Sequence, residues 1–192
     1  MIGLYIHIPF CIKKCFYCNF YSVTNYNNYL IKYIYSLEKH MEQYKINNKK
    51  IKISTIYIGG GTPSLLPNYL IEYLFNCISY NFDICNCKEI TIEINPGTVN
   101  NDKLKFYKKI KINRLSIGVQ SFNDRILRQL GRIHLKKDSY KTIELAKKNG
   151  FKNISIDLIY GIPGQTISDL IYDLNESFKI NVNHISYYGL SI

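Results

Sequence analysis

Apolar residues along this chain follow two alternating rhythms. Short runs dense in Ile, Leu and Val are separated by stretches in which apolar residues recur every three or four positions, the spacing of helices that pack one stripe inward. The first run is Leu4 to Pro9, and from Asn25 the residues Tyr26, Leu30, Ile34, Leu37, Met41 and Tyr44 recur at helical spacing. Ser54 to Ile58 reads as a second strand ending at Gly59, and Pro67 opens a helix with the stripe Leu70, Ile71, Leu74, Phe75 and Ile78. A third strand, Glu89 to Asn95, stops at the turn pair Pro96-Gly97. A helix over Asp102 to Lys109 leads into a fourth strand, Arg114 to Val119. Helical stretches follow at Asp124 to Leu130 and at Asp138 to Asn149, the latter closed by Lys147, Lys148 and Gly150. Asn153 to Ile159 is the fifth strand. Thr166 and Asp169 form a capping box before the stripe Leu170, Ile171, Leu174 and Phe178, and His184 to Leu190 is the sixth strand.

Strands alternating with helices predict βα units on a parallel sheet. Six such units, the last without its helix, predict an α/β fold in the form of a partial (β/α)6 barrel, open where an eight-fold barrel would close. A single core domain over residues 1–192 is expected. In parallel barrels the chemistry gathers at the C-terminal ends of the strands. Unusual polar and glycine residues at those ends are therefore the candidates.

Composition changes this picture little. The formal net charge of +11 would favour an acidic partner. Yet the densest groups, Lys49, Lys50, Lys52 and Lys103, Lys105, Lys108, Lys109, Lys111, sit in connections or on helix surfaces and read as solvated faces. Nucleic acid is accordingly not an expected partner. No run of 18 apolar residues exists, so no membrane span is expected. The chain starts directly on a strand pattern, which leaves no room for a signal peptide. A cytoplasmic or organelle-matrix location follows, where thiols serve metals rather than disulfides.

Three of the six cysteines stand at Cys11, Cys15 and Cys18. Thiolates at this spacing on a loop can hold three irons of a [4Fe-4S] cluster and leave the fourth without a protein ligand. A zinc site of Cys11, Cys15, Cys18 and His7 is the alternative, although structural zinc sites usually add a distant second ligand pair. Scattered buried thiols are the third reading. Cys77 falls in an apolar helical pattern and reads as core, and Cys85-Asn86-Cys87 lacks partners for a second metal site.

The residues around the loop carry a resemblance. Tyr5-Ile6-His7-Ile8-Pro9-Phe10 leads into C-x3-C-x2-C, Tyr17 precedes the last cysteine, and Gly59-Gly60-Gly61-Thr62-Pro63-Ser64 follows the second strand. The chain resembles the radical S-adenosylmethionine (SAM) superfamily, in the branch of oxygen-independent coproporphyrinogen III oxidase and the HemW heme chaperones. The likeness runs from Tyr5 to about Ser191. It implies that Cys11, Cys15 and Cys18 bind the [4Fe-4S] cluster and that Tyr5, Gly60 and Glu93 contact the SAM on the open iron. It further implies that Tyr17, Gly61, Thr62, Gln120, Arg132 and Asp157 contact a second SAM position. Apart from the resemblance, consecutive glycines let bare backbone meet a ligand, and Glu93 among Ile90, Ile92 and Ile94 needs a partner if buried.

The resemblance also implies one-electron cleavage of SAM to methionine and a 5'-deoxyadenosyl radical, with an electron donor as partner. The oxidases carry a further cysteine, as C-x3-C-x2-C-x-C, whereas here Asn19 and Phe20 follow Cys18. Phe20 cannot stand in for a thiol, and this pattern is similar to the heme chaperones. Both relatives continue beyond the barrel into a C-terminal region. Three functions are therefore expected in order: heme trafficking, with heme or a porphyrinogen as ligand and a haem-accepting protein as partner; oxidative decarboxylation of coproporphyrinogen III; and an RNA-modifying radical SAM activity. No histidine among His7, His134 and His184 is singled out as a heme ligand.

Overall fold

The computed structural model describes residues 2–44 and 49–190; the far limit of the resemblance, Ser191, lies outside them. In chain order the elements are β1 (Gly3–Ile8), α1 (Leu30–Glu42), β2 (Ile51–Lys52), β3 (Thr55–Gly60), α2 (Asn68–Asn81), β4 (Phe82–Asp83) and β5 (Glu89–Ile94). Then follow α3 (Asn101–Lys109), β6 (Arg114–Gln120), α4 (Asp124–Gln129), α5 (Lys136–Lys148), β7 (Asn153–Tyr160), α6 (Ile167–Ile180) and β8 (His184–Gly189). Strands β1-β3-β5-β6-β7-β8 lie side by side in that order, all parallel. This is the expected open βα barrel wall. Strands β2 and β4, which the pattern does not reveal because two residues are too few to show a period, pair with each other outside the main sheet.

Side chains alternate across a strand, and here the two faces differ sharply. Ile6 and Ile8, Ile56 and Ile58, Ile90, Ile92 and Ile94, Leu115 and Ile117, and Ile154, Ile156 and Leu158 are buried in one cluster with the helices. Ile34 and Met41 of α1, Leu74 and Ile78 of α2, Leu104 and Tyr107 of α3, and Ile143 and Ala146 of α5 complete that cluster. The alternate positions are polar, and the register lines them up: Tyr5 beside Tyr57, Glu93 beside Ser116, Ser116 beside Ser155, and Asp157 beside Ser186. At the N-terminal ends of the strands Glu89 binds Arg114 at 3.0 Å and Asn153 at 3.3 Å. The barrel wall thus has an apolar outside under helices and a polar inside.

Two helices depart from the pattern. Helix α1 begins at Leu30 rather than near Asn25, because the Tyr26 carbonyl accepts both Tyr29 N and Leu30 N in a turn while the Tyr26 ring packs on Phe10 at 5.3 Å. Helix α6 is capped as expected: Thr166 Oγ1 accepts from Asp169 N and the Asp169 carboxylate accepts from Thr166 N. Its buried face, however, is not the apolar stripe. Asp173 and Ser177 point inward, whereas Ile171 and Phe178 are exposed. The reason lies in the loop after β6, whose buried donors need an acceptor. Asp173 takes Phe122 N at 2.7 Å and Ser121 Oγ at 2.8 Å. Burial pushes its carboxyl above the usual range, against these hydrogen bonds.

Replacing Asp173 with Ala should leave two buried donors without an acceptor and cost about 2–4 kcal/mol of stability. Urea denaturation of the purified apo chain measures it. Asp173→Asn, which keeps an acceptor oxygen, should cost less than Asp173→Ala.

Candidate functional site

The polar inside of the wall opens at the C-terminal ends of the strands into a cavity of about 480 Å³. Cys11, Cys15, Cys18, Tyr17, Gly60, Gly61, Thr62, Glu93, Gln120, Arg132 and Asp157 all line it. Of the residues expected at the site, Tyr5 is the exception. Its ring lies parallel to Tyr57 at 6.1 Å and its hydroxyl pairs with His7 Nδ1 at 3.0 Å, outside the cavity lining.

The cysteine loop leaves β1 and is tied down at both sides. Cys11 N donates to Val23 O, and Phe16 N donates to Leu130 O in the turn after α4. Two of the thiols are joined by a chain of polar contacts. Thr62 Oγ1 donates to Cys11 Sγ at 3.6 Å and accepts from Asn95 Nδ2 at 2.8 Å. Asn95 Oδ1 accepts from Arg132 Nη2 at 2.7 Å, and Arg132 Nη1 donates to Cys15 Sγ at 3.7 Å. Asn95 thus spends both ends of its amide on linking Cys11 to Cys15. Arg132 is held further by Gly118 O at 2.8 Å and by His134 Nδ1 at 3.3 Å. That second contact makes His134 Nδ1 the acceptor, so Nε2 carries the hydrogen toward Val119 O at 3.2 Å. Burial and the Arg132 charge hold this imidazole neutral, its pKa lowered to about 4.

The glycine segment approaches the thiols so closely that side chains do not fit. A Cβ on Gly61 would lie 2.9 Å from Cys11 Sγ and 2.8 Å from Phe10 O, and one on Gly60, at φ +115°, would lie 2.7 Å from the His7 ring. Glu93 closes the far side. Its carboxylate accepts Gly60 N at 2.9 Å and Tyr57 OH at 2.7 Å, and burial raises its pKa above the usual carboxylate value. Asp157 is half-buried, and desolvation raises its pKa while it accepts from Ser116 Oγ at 3.1 Å. Gln120 sits past a register shift in β6 at φ +67°, a left-handed conformation that non-glycine residues adopt at a cost. The bulge turns its side chain into the cavity.

Asn95, Tyr57 and Ser116 are functional candidates that the pattern misses. Asn95 reads as a strand end and Tyr57 as one apolar residue among several; only the parallel register places them against Thr62, Arg132 and Glu93. Lys103 is a correction. It is not a solvated surface lysine: Nζ donates to the carbonyls of Ser64 and Leu66 behind the glycine segment, and burial lowers its pKa to about 8. Its place in the first turn of α3 points it inward beneath that loop.

The donor set fits a cluster better than a single ion. His7 spends Nδ1 on Tyr5 and Nε2 on Tyr21 O at 2.9 Å, which removes the fourth zinc ligand. The three thiols instead share one cavity wall, and Cys85 and Cys87 lie apart, Cys87 Sγ donating to Glu89 O.

A βα barrel wall whose first loop brings three thiols over a glycine segment defines an iron-sulfur type of site at the strand ends. The chain belongs to the radical SAM superfamily, whose family model matches residues 5–176. It is 44% identical over 192 residues to the heme chaperone HemW of Buchnera aphidicola subsp. Schizaphis graminum, covering 100% of this chain and 51% of that protein. It is 39% identical over 196 residues to heme chaperone HemW of Haemophilus influenzae, again covering 100% of this chain and 51% of that protein. Among solved structures, coproporphyrinogen III oxidase (HemN) from Escherichia coli, described as a radical SAM enzyme, superposes with a TM-score of 0.91 at 30% identity. That match covers 98% of this chain and 44% of the oxidase. The chain spans about half the length of the curated relatives it matches.

Asn95→Ala should lower iron bound after anaerobic reconstitution to under half, while circular dichroism stays unchanged. Cys11→Ala/Cys15→Ala/Cys18→Ala should bind none, and Cys85→Ala/Cys87→Ala should match the parent. Iron and sulfide analysis of the reconstituted proteins decides it.

Proposed function

We propose that this chain is the cluster- and SAM-binding core of a heme chaperone. The observation that carries this reading is at the cavity mouth, where the position occupied by an additional cysteine in the oxidases is Phe20, a 67% exposed ring that lines the cavity. A phenyl group offers an apolar face to a macrocycle and offers no thiol to the chemistry. The relatives at 44% and 39% identity, both heme chaperones, support the same side of the choice.

Cys11, Cys15 and Cys18 would hold a [4Fe-4S] cluster, whose chemistry with SAM is one-electron cleavage of a carbon-sulfur bond. The residues of the chain bind and orient. Gly60 and Gly61 bring bare backbone to the ligand, and Glu93, fixed by Tyr57 and Gly60 N, presents negative charge to an ammonium group. Lys13 and Lys14 stand at the mouth, where heme propionates would meet them. Exposed ion pairs contribute only about 0–1 kcal/mol each, so most of the heme affinity must come from apolar contact. The partners that this reading implies are heme, an electron donor and a haem-accepting protein.

An ammonium ligand pairs with the ionised form of Glu93, so SAM affinity should fall as pH drops through its raised pKa. The fall should therefore begin above the usual carboxylate range. Glu93→Gln should bind SAM at least tenfold more weakly at pH 8 and show no such pH dependence. Equilibrium dialysis across pH 5 to 8 checks both.

The function itself is tested on one anaerobic sample with reductant and SAM. Heme should bind, seen as a shifted Soret band, and coproporphyrinogen III should lose no carbon dioxide. Turnover to protoporphyrinogen would assign the chain to the oxidase class, and absence of heme binding would remove the chaperone reading.

A further inference from the structure

The glycine segment is held from behind as well as in front. After Thr62 the chain makes a single helical turn, Pro63–Leu65, in which Leu65 N donates to Thr62 O and Leu66 N donates to Pro63 O. The next bond of that series would run from residue 67 to Ser64 O, but residue 67 is Pro and has no N–H. Ser64 and Leu66 are both buried, so their carbonyls cannot turn to water. Buried carbonyls need donors. Lys103 Nζ serves both, donating to Ser64 O and, at 2.7 Å, to Leu66 O.

Nothing else at this place favours a cation. Lys103 stands in the first turn of α3, where Asn100 Oδ1 accepts Lys103 N at 2.9 Å and caps the helix. A positive charge there opposes the helix dipole. Among the described residues Lys103 forms no ion pair, and burial lowers its pKa to about 8. Both features disfavour the ammonium, so the two carbonyl bonds are the reason for a lysine here.

The turn that Lys103 holds continues directly from the site. Thr62, one residue before it, donates to Cys11 Sγ, and Gly60, Gly61 and Thr62 line the cavity. The Ser64 side chain is fixed separately: Thr98 Oγ1 donates to Asn95 O at 2.6 Å, which leaves Ser64 Oγ as the donor to Thr98 Oγ1 at 2.6 Å. Lys103 fixes the backbone.

We propose that Lys103 is a positioning residue for SAM, which by clamping the carbonyls of Ser64 and Leu66 holds Gly60 to Thr62 in the shape that receives the ligand. The inference rests on the reading that the glycine segment binds SAM. Lys103 does not line the cavity, so it acts through the backbone and not by contact. A ligand-binding backbone keeps its affinity only while its supports keep its geometry.

The test compares the anaerobically reconstituted parent with Lys103→Met, which removes both donors, and Lys103→Arg, whose guanidinium can still serve two carbonyls. By equilibrium dialysis Lys103→Met should bind SAM at least tenfold more weakly, and hydrogen exchange over residues 60–66 should quicken at least tenfold. Its iron content and the exchange of β7 should stay at the parent's values. Lys103→Arg should lie within threefold of the parent in both measurements. Unchanged SAM affinity in Lys103→Met would overturn the proposal, whether or not exchange quickens. Equal losses in both variants would overturn it too, because side-chain shape and not the donors would then matter. Loss of iron or faster β7 exchange in Lys103→Met would show a general loosening and remove the positioning role. Failure of the underlying SAM reading shows separately, as a parent with full iron content that binds no SAM.

Discussion

Everything in this protein depends on the two-residue period of its parallel strands. Each strand sends one set of side chains under the helices and the other toward the barrel axis, and nothing in between is available. In this chain the first set is almost wholly Ile and Leu, whereas the second is Tyr, Thr, Glu, Ser and Asp. The outward set supplies the driving force of burial. The inward set therefore need not pack as a dry core and forms a polar cavity wall, with Glu89, Arg114 and Asn153 paired at its closed end.

Polar groups taken out of water need partners, and that need arranges the site. Glu93 is met by Tyr57 and Gly60 N, Asp157 by Ser116, and Asp173 by the loop after β6. Asn95 is the most economical case, since one amide satisfies Thr62 and Arg132 and through them steadies two thiols. Such networks are stiff when complete and costly when broken. A loop holding three cysteines thereby acquires a defined geometry even though only short stretches of it bond to the sheet.

The same network separates an inner face from an outer one. Toward the axis lie the glycine segment and the paired carboxylates, suited to a small polar ligand. Toward solvent lie the exposed side chains of Ile12, Phe16 and Ile133. A thin wall of Cys15, Thr62, Asn95 and Arg132, from the loops after β1, β3, β5 and α4, separates the two.

The order of strands and helices, the apolar face of the sheet, the cysteine loop and the glycine segment were all legible in the sequence. Each is a local pattern: a period, a spacing or a run of one residue type carries it. Membership of the radical SAM superfamily was legible for the same reason, because its motifs are contiguous. What only the tertiary structure decided were pairings between distant residues. Asn95 meets Thr62 and Arg132 across 33 and 37 positions, and Lys103 turns from surface lysine to half-buried anchor across 39. Helix α6 shows the limit most plainly. Its apolar stripe was readable, yet Asp173 faces inward, because a buried loop 51 positions earlier in the chain has donors to satisfy. Hydrophobic periodicity reports what a helix could bury, whereas the unpaired groups opposite it determine which face is buried.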